Sequence, residues 1–139
     1  MKGINSRMDE IQAAILNIKL RYLDQENDIR RNIARRYLTE IVNPKIKLPS
    51  EIAVETSVFH IFPILTDDRE GLKEFLKQHG IETMIHYPVP PHQQEAFVEM
   101  KHQNYPISET IHRHELSLPI YPTLNGKDLS KIIDTINLW

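Results

Sequence analysis

Apolar residues recur at helical spacing through the first third of the chain. Met8, Ile11, Ile15, Ile18 and Tyr22 lie three or four residues apart and form one stripe of a helix. Ala13, Leu16, Leu20 and Leu23 form a second stripe, roughly 150° away around the axis. A surface helix needs one such stripe. Two imply burial against two bodies, its own domain and something else. Ser6-Arg7-Met8-Asp9 fits an S-x-x-D helix start, and no glycine or proline follows before Pro44. The polar run at 24–28 interrupts the pattern, which resumes as Ile29, Ile33, Tyr37 and Ile41. A continuous helix over 8–42 would span roughly 50 Å, long for so small a domain. A kink or break is therefore expected near 24–28. The alternative is a helical hairpin in which 29–41 folds back and covers a stripe.

After Asn43-Pro44 the pattern changes. Residues 57–66 carry Val58, Phe59, Ile61, Phe62, Ile64 and Leu65. This nearly continuous apolar run predicts a strand covered on both faces, with Pro63 placing it at an edge or bulge. Asp67-Asp68 can cap a helix that turns Leu72, Phe75 and Leu76 inward, and His79-Gly80 stops it. Residues 82–85 then read as the second strand of a β-α-β unit. Pro88, Pro90 and Pro91 forbid helix next and hold the chain extended. Short helices are expected at 93–101 and 108–115, with an extended piece at 116–119. Asn125 caps a final helix whose Leu129, Ile132, Ile133 and Ile136 face inward. Helices on a small mixed sheet make an α+β fold, an α/β sandwich. The expected organisation is a long interdomain or interface helix over 1–42 and a small α+β domain over 43–139.

Composition narrows the chemistry. A net charge of −2 over 139 residues, with no basic stripe, argues against a nucleic-acid partner. There is no cysteine, hence no disulfide, thiolate catalyst or zinc–cysteine site. No run approaches the roughly 18 apolar residues of a membrane span and no signal peptide is visible, so the expected compartment is the cytoplasm. His60, His86 and His92 are candidates for acid–base work or metal binding, but no H-E-x-x-H or similar spacing occurs and no metal is expected. His60, inside an apolar strand, reads as a core histidine. Ser117 lacks a G-x-S-x-G context, which does not support a serine hydrolase. Arg7 beside a helix start can meet a phosphate or simply face solvent. The loop from His86 to His92 is either a stiff platform for polar groups or a structural proline turn.

Several separate stretches, taken together, carry a resemblance. Gly3-Ile4-Asn5-Ser6-Arg7-Met8-Asp9-Glu10-Ile11-Gln12-Ala13-Ala14 is similar to the sequence that follows the large domain in the DegT/DnrJ/EryC1/StrS family of pyridoxal-phosphate-dependent sugar aminotransferases. His60 stands in an apolar segment as that family's histidine does. Gly80-Ile81-Glu82-Thr83 leads into His86-Tyr87-Pro88-Val89-Pro90-Pro91-His92, which resembles the family's H-Y-P-x-P-x-H. Pro106 with Glu109, and Leu116-Ser117-Leu118-Pro119 with Tyr121-Pro122, resemble its closing segment. The order agrees over essentially the whole chain.

The resemblance implies a small C-terminal domain of a fold-type-I transferase without its large domain. The family's Schiff-base lysine, and the aspartate that pairs with the pyridinium nitrogen, lie upstream of the Gly-x-Asn motif. No lysine here matches that context. No catalytic residue is therefore expected in this chain, and it is expected to be inactive and free of cofactor alone. Asn5, and with it Arg7, is implied to reach the cofactor phosphate of a neighbouring subunit, and a homodimer through the N-terminal helix follows. His86, Tyr87 and His92 are implied to lie on the nucleotide-sugar side, although Pro91 stands where the family often has leucine. The expected function is the C-terminal part of an enzyme that passes an amino group from an amino acid such as glutamate to a keto-sugar nucleotide, in surface-polysaccharide or deoxysugar synthesis. The alternatives are a non-catalytic domain that dimerises or binds a partner or sugar, and a truncated product without function.

Overall fold

The structure, a computed structural model, describes residues 8–50 and 53–139. Helix α1 (Glu10–Lys19) runs through one 3-10 turn (Leu20–Tyr22) into α2 (Leu23–Glu40). The break expected at 24–28 therefore falls earlier, at 20–22. The polar run lies inside α2, where its charges find helical uses. Asp24 and Glu26 sit in the first turn, at the positive end of the helix dipole. Asp28 pairs with Arg31 at 2.8 Å and Glu26 with Arg30 at 3.6 Å. With 24–28 helical, the fold-back alternative is excluded.

The two stripes meet different fates from those expected. Neither is covered by the chain's own domain along α1, which buries no residue; Ile11 is 76% and Leu20 65% exposed. The core contact comes from α2 instead, through Ile33, Ala34 and Tyr37. Tyr37 is wholly buried and its hydroxyl donates to the Pro119 carbonyl at 2.7 Å. Burial pushes its phenol well above the ordinary tyrosine value. The end of α2 is tied to α6 (Gly126–Leu138) from both sides. Asn43 Nδ2 donates to the Ile136 carbonyl at 2.8 Å, and the Val42 N–H donates to Asn137 Oδ1 at 2.9 Å.

Strand β1 (Phe62–Leu65) pairs antiparallel with β2 (Glu115–Leu118), Phe62 opposite Leu118 and Leu65 opposite Glu115. Single bridges widen the sheet, Lys47 to Leu65 on one side and Met84 to Ser117 on the other. Both neighbours of β2 run antiparallel to it, so the chain at Met84 runs parallel to β1 with β2 between them. The expected β-α-β unit is thus split. Its crossover helix, α4 (Arg69–Gln78), carries the chain past the place that β2 later fills. The second strand reduces to the bridge at Met84, and the piece expected merely to be extended at 116–119 supplies the central strand.

β1 is also shorter than the expected 57–66. Phe59 adopts φ 45°, the left-handed region, and its N–H donates to Ser57 Oγ at 3.0 Å. A bulky residue there ends extended pairing. Its buried ring repays the turn by packing 5.9 Å from Phe62. Pro63 is tolerated because residues 63 and 65 direct their backbone groups away from β2, and Leu65 exchanges both bonds with Lys47 on that side.

The other helices follow the expected caps. Asp68 Oδ1 accepts from the Gly71 N–H at 3.0 Å, and Asn125 Oδ1 from the Asp128 N–H at 2.9 Å. Gly80, at φ 73°, ends α4 as only a residue without Cβ does cheaply. A four-residue helix, α3 (Ala53–Thr56), precedes the sheet. The helix expected at 93–101 is two 3-10 turns (Pro91–Gln93 and Glu95–Met100), broken where Phe97 leaves helical φ/ψ. α5 (Pro106–His114) begins on a proline at its first position. Leu72, Leu76, Leu116, Ile132, Ile133 and Ile136 fill the core between sheet and helices, while Phe75, expected to face inward, is only half-buried and stands 4.5 Å from the His79 ring.

Candidate functional site

The loop from His86 to His92 is gripped by α5 and the start of β2. Glu109, His112 and Glu115 recur every third residue, so they come up on one side of the helix and its exit. Glu109 Oε1 meets His92 Nε2 at 3.1 Å. His112 Nδ1 donates to the Tyr87 carbonyl at 2.5 Å. Glu115 Oε2 accepts from the His86 backbone N–H at 2.8 Å. Gln94 adds a donor to the Val89 carbonyl at 3.3 Å. Prolines stiffen this loop, and these four side chains fix where it lies. The His86–Tyr87 peptide is cis.

Beside the loop is a pocket of about 330 Å³ whose wall includes His60, Thr83, Met84, His86, Ser117 and Pro119. Behind its wall, at Ser117, lies a buried polar pair. Glu115 is 2% and Ser117 4% exposed. Ser117 Oγ donates to Glu115 Oε1 at 2.5 Å and lies 2.9 Å from His86 Nδ1. The buried carboxyl thus has a hydrogen-bond partner at each oxygen, a hydroxyl at one and a backbone amide at the other, as a buried polar group requires.

The sequence-derived candidates separate here. His86 lines the pocket and is half-buried. Tyr87 stands next to it, largely exposed, with its ring edge-on at 5.5 Å from the imidazole. His60 lines the same pocket and is exposed at the bend before β1, so it is not a core histidine. His92 is only 3% exposed. It packs 5.0 Å from the Tyr105 ring and pairs with Glu109, and so has a partner within the chain. The Tyr105 backbone N–H, with His92 beside it, holds the Glu109 carboxyl below the usual carboxylate range. Asn5 and Arg7 lie outside the described residues. Glu115 and His112 were not singled out from the sequence; the E-x-x-H-x-x-E spacing over 109–115 is the signal that could have found them.

No lysine lines this pocket. An attachment point and a phosphate cup for pyridoxal phosphate are therefore not assembled from the residues around His86, and no group of metal-ligating side chains occurs among the described residues.

The sequence profile of the DegT/DnrJ/EryC1/StrS aminotransferases matches residues 1–137. The chain belongs to this family. It is 45% identical, over 138 residues, to the dTDP-3-amino-3,6-dideoxy-alpha-D-galactopyranose transaminase of Aneurinibacillus thermoaerophilus, covering 99% of this chain and 38% of that one. It is 38% identical to the dTDP-3-amino-3,4,6-trideoxy-alpha-D-glucose transaminase of Streptomyces venezuelae, covering 99% of this chain and 37% of that one. The solved structure of S. venezuelae DesV superposes with a TM-score of 0.87 at 37% identity, over 100% of this chain and 38% of DesV. NtdA of Bacillus subtilis, solved with bound cofactor PMP, superposes with a TM-score of 0.82 at 28% identity, over 96% of this chain and 33% of NtdA. The chain thus spans little more than a third of the length of these aminotransferases. The α+β fold here is that of the matching portion of the DegT/DnrJ/EryC1/StrS enzymes.

Proposed function

We propose that this chain serves as the C-terminal part of a pyridoxal-phosphate-dependent nucleotide-sugar aminotransferase, a cytoplasmic homodimer working in lipopolysaccharide, other surface-polysaccharide or deoxysugar biosynthesis. The observation that carries the reading is the family match over 1–137 together with relatives named as transaminases of dTDP- and UDP-sugars. Pyridoxal phosphate supplies the electron sink and the carbonyl that carries the amino group. The share of this chain is recognition and placement. His86 and Tyr87 face the sugar nucleotide, while His92, closed against Glu109, holds the far end of their loop. Asn5, with Arg7 next to the helix start, reaches the cofactor phosphate of the partner subunit, since an amide donor and a guanidinium both suit a dianion. Residues 1–42 act as the interface helix and 43–139 as the substrate-side domain.

A second reading, a non-catalytic dimerisation or partner-binding domain, draws support from the exposure of both stripes of α1. The two readings agree that the chain alone performs no transamination. Incubated with pyridoxal phosphate, glutamate and a keto-sugar nucleotide, it should give no turnover, and borohydride should trap no single lysine adduct. Turnover, or one specifically labelled lysine, would sink the proposal that the reacting groups lie in the rest of the enzyme.

A further inference from the structure

We propose that Glu115 and Ser117 form a buried relay that fixes the tautomer of His86, so that its Nε2 presents a lone pair to the pocket and accepts a hydrogen bond from a hydroxyl of the sugar. The inference rests on the substrate-side reading of His86 but derives from hydrogen-bond accounting within the chain.

The count begins at a donor that cannot reverse. The backbone N–H of His86 donates to Glu115 Oε2 at 2.8 Å. In the proposal Glu115 is ionised and has no proton to give, so its other oxygen also accepts, and Ser117 Oγ stands 2.5 Å from it with a hydroxyl hydrogen to donate. That contact uses the one proton of the serine hydroxyl. Toward His86 Nδ1, 2.9 Å away, Ser117 can then only accept, so Nδ1 carries the hydrogen. In neutral imidazole the second nitrogen is then an acceptor. Nε2 has no hydrogen-bond partner among the described residues, and His86 lines the pocket. Glu115 and Ser117 are positioning residues: they touch His86, and His86 touches the ligand.

Glu115→Gln tests the relay because it keeps the shape. The His86 N–H still needs an acceptor, so the amide oxygen takes that place. The amide NH₂ then points at Ser117 Oγ and donates to it. The serine hydroxyl rotates and donates to Nδ1, and the proton of the imidazole moves to Nε2. Nitrogen-15 spectra of the chain at alkaline pH read this directly. The wild type should show a protonated Nδ1 and an unprotonated Nε2 for His86, and Glu115→Gln should exchange the two. A wild-type Nε2–H tautomer, or a folded Glu115→Gln variant that keeps Nδ1–H, would overturn the relay. Should Glu115→Gln fail to fold, Ser117→Ala replaces it. Loss of the acceptor should release Nδ1–H in favour of Nε2–H, and an unchanged tautomer would overturn the relay equally.

The sugar contact has its own arm. In an enzyme completed with the portion a relative supplies, Glu115→Gln should raise KM for the keto-sugar nucleotide about tenfold, the effect of losing one net hydrogen bond, with KM for glutamate unchanged. A flipped tautomer with both KM values unchanged would overturn the sugar contact and leave the relay standing.

Discussion

Replacing Phe62 by alanine should destabilise the chain by about 3–5 kcal/mol, the cost of removing a large aromatic from a closed core. Phe62 has no exposed surface. Its ring lies 4.9 Å from Tyr37 on α2 and 5.9 Å from Phe59 at the turn into β1. Its backbone is paired opposite Leu118 on the central strand. One side chain thus joins the helix, the left-handed turn and the sheet, and no neighbour is free to collapse into the hole without giving up its own place. The loss should appear in urea unfolding as a lower midpoint with an unchanged slope. A loss below about 1 kcal/mol, typical of a surface substitution, would mean that the core is not organised around this ring.

The isolated chain should also self-associate through α1, and Leu16→Glu/Leu20→Glu should abolish that association. Both leucines are about half exposed or more and belong to no part of the core. They line a groove of about 530 Å³ with Ala13 and Leu23. The occupant that fits is a second copy of the same helix. The spacing 13, 16, 20, 23 reads the same in both directions, so two antiparallel copies set 13 against 23 and 16 against 20 in one register. Fully burying each leucine is worth roughly 1.5–3 kcal/mol, part of it offset by the entropy of association. Sedimentation should show a concentration-dependent dimer for the wild type and a monomer for the double variant. The unfolding midpoint of the double variant should match that of the wild type at concentrations where the wild type is monomeric, because the stripe lies outside the core, and should fall below it where the wild type is dimeric. A wild type that stays monomeric at all concentrations would contradict this.

Much of this molecule was legible in its pattern, and the misreadings have physical causes. Caps and periodic faces placed α4 and α6 correctly, since Asp68, Gly80 and Asn125 act within a few residues of where they stand. The sheet was harder. That β2 would slip between β1 and Met84 depends on partners far away along the chain, Phe62 for Leu118 and Met84 for Ser117, and four residues at 115–118 carry no local mark of a central strand. Phe59 misled for the opposite reason. Its side chain favours a strand, but its backbone takes φ 45° for the sake of packing against Phe62. The polar run at 24–28 looked like a break because charge interrupts an apolar stripe. In the structure those charges simply face solvent and pair along α2.

The site was half legible. His86, Tyr87 and the prolines announced a stiff polar loop. What positions that loop is a set of groups on α5 and β2. Glu115 is marked only by its place in the E-x-x-H-x-x-E spacing, because a buried glutamate cannot be told from a surface one until its partners, Ser117 and the His86 amide, are known. His60 was placed in the core by its apolar neighbours, and the turn at Phe59 sends it outward to the pocket instead.

The most direct test is the transaminase activity of this chain joined to the portion of the Aneurinibacillus thermoaerophilus transaminase that it does not span. The two sequences are 45% identical over the shared stretch, so the junction and the contacts across it should be met. The joined protein should bind pyridoxal phosphate and transfer the amino group of glutamate to a keto-sugar nucleotide, while neither portion does so alone. A joined protein that folds, dimerises and holds the cofactor, yet turns over no keto-sugar nucleotide, would contradict the proposal that this chain supplies the sugar side of the active site.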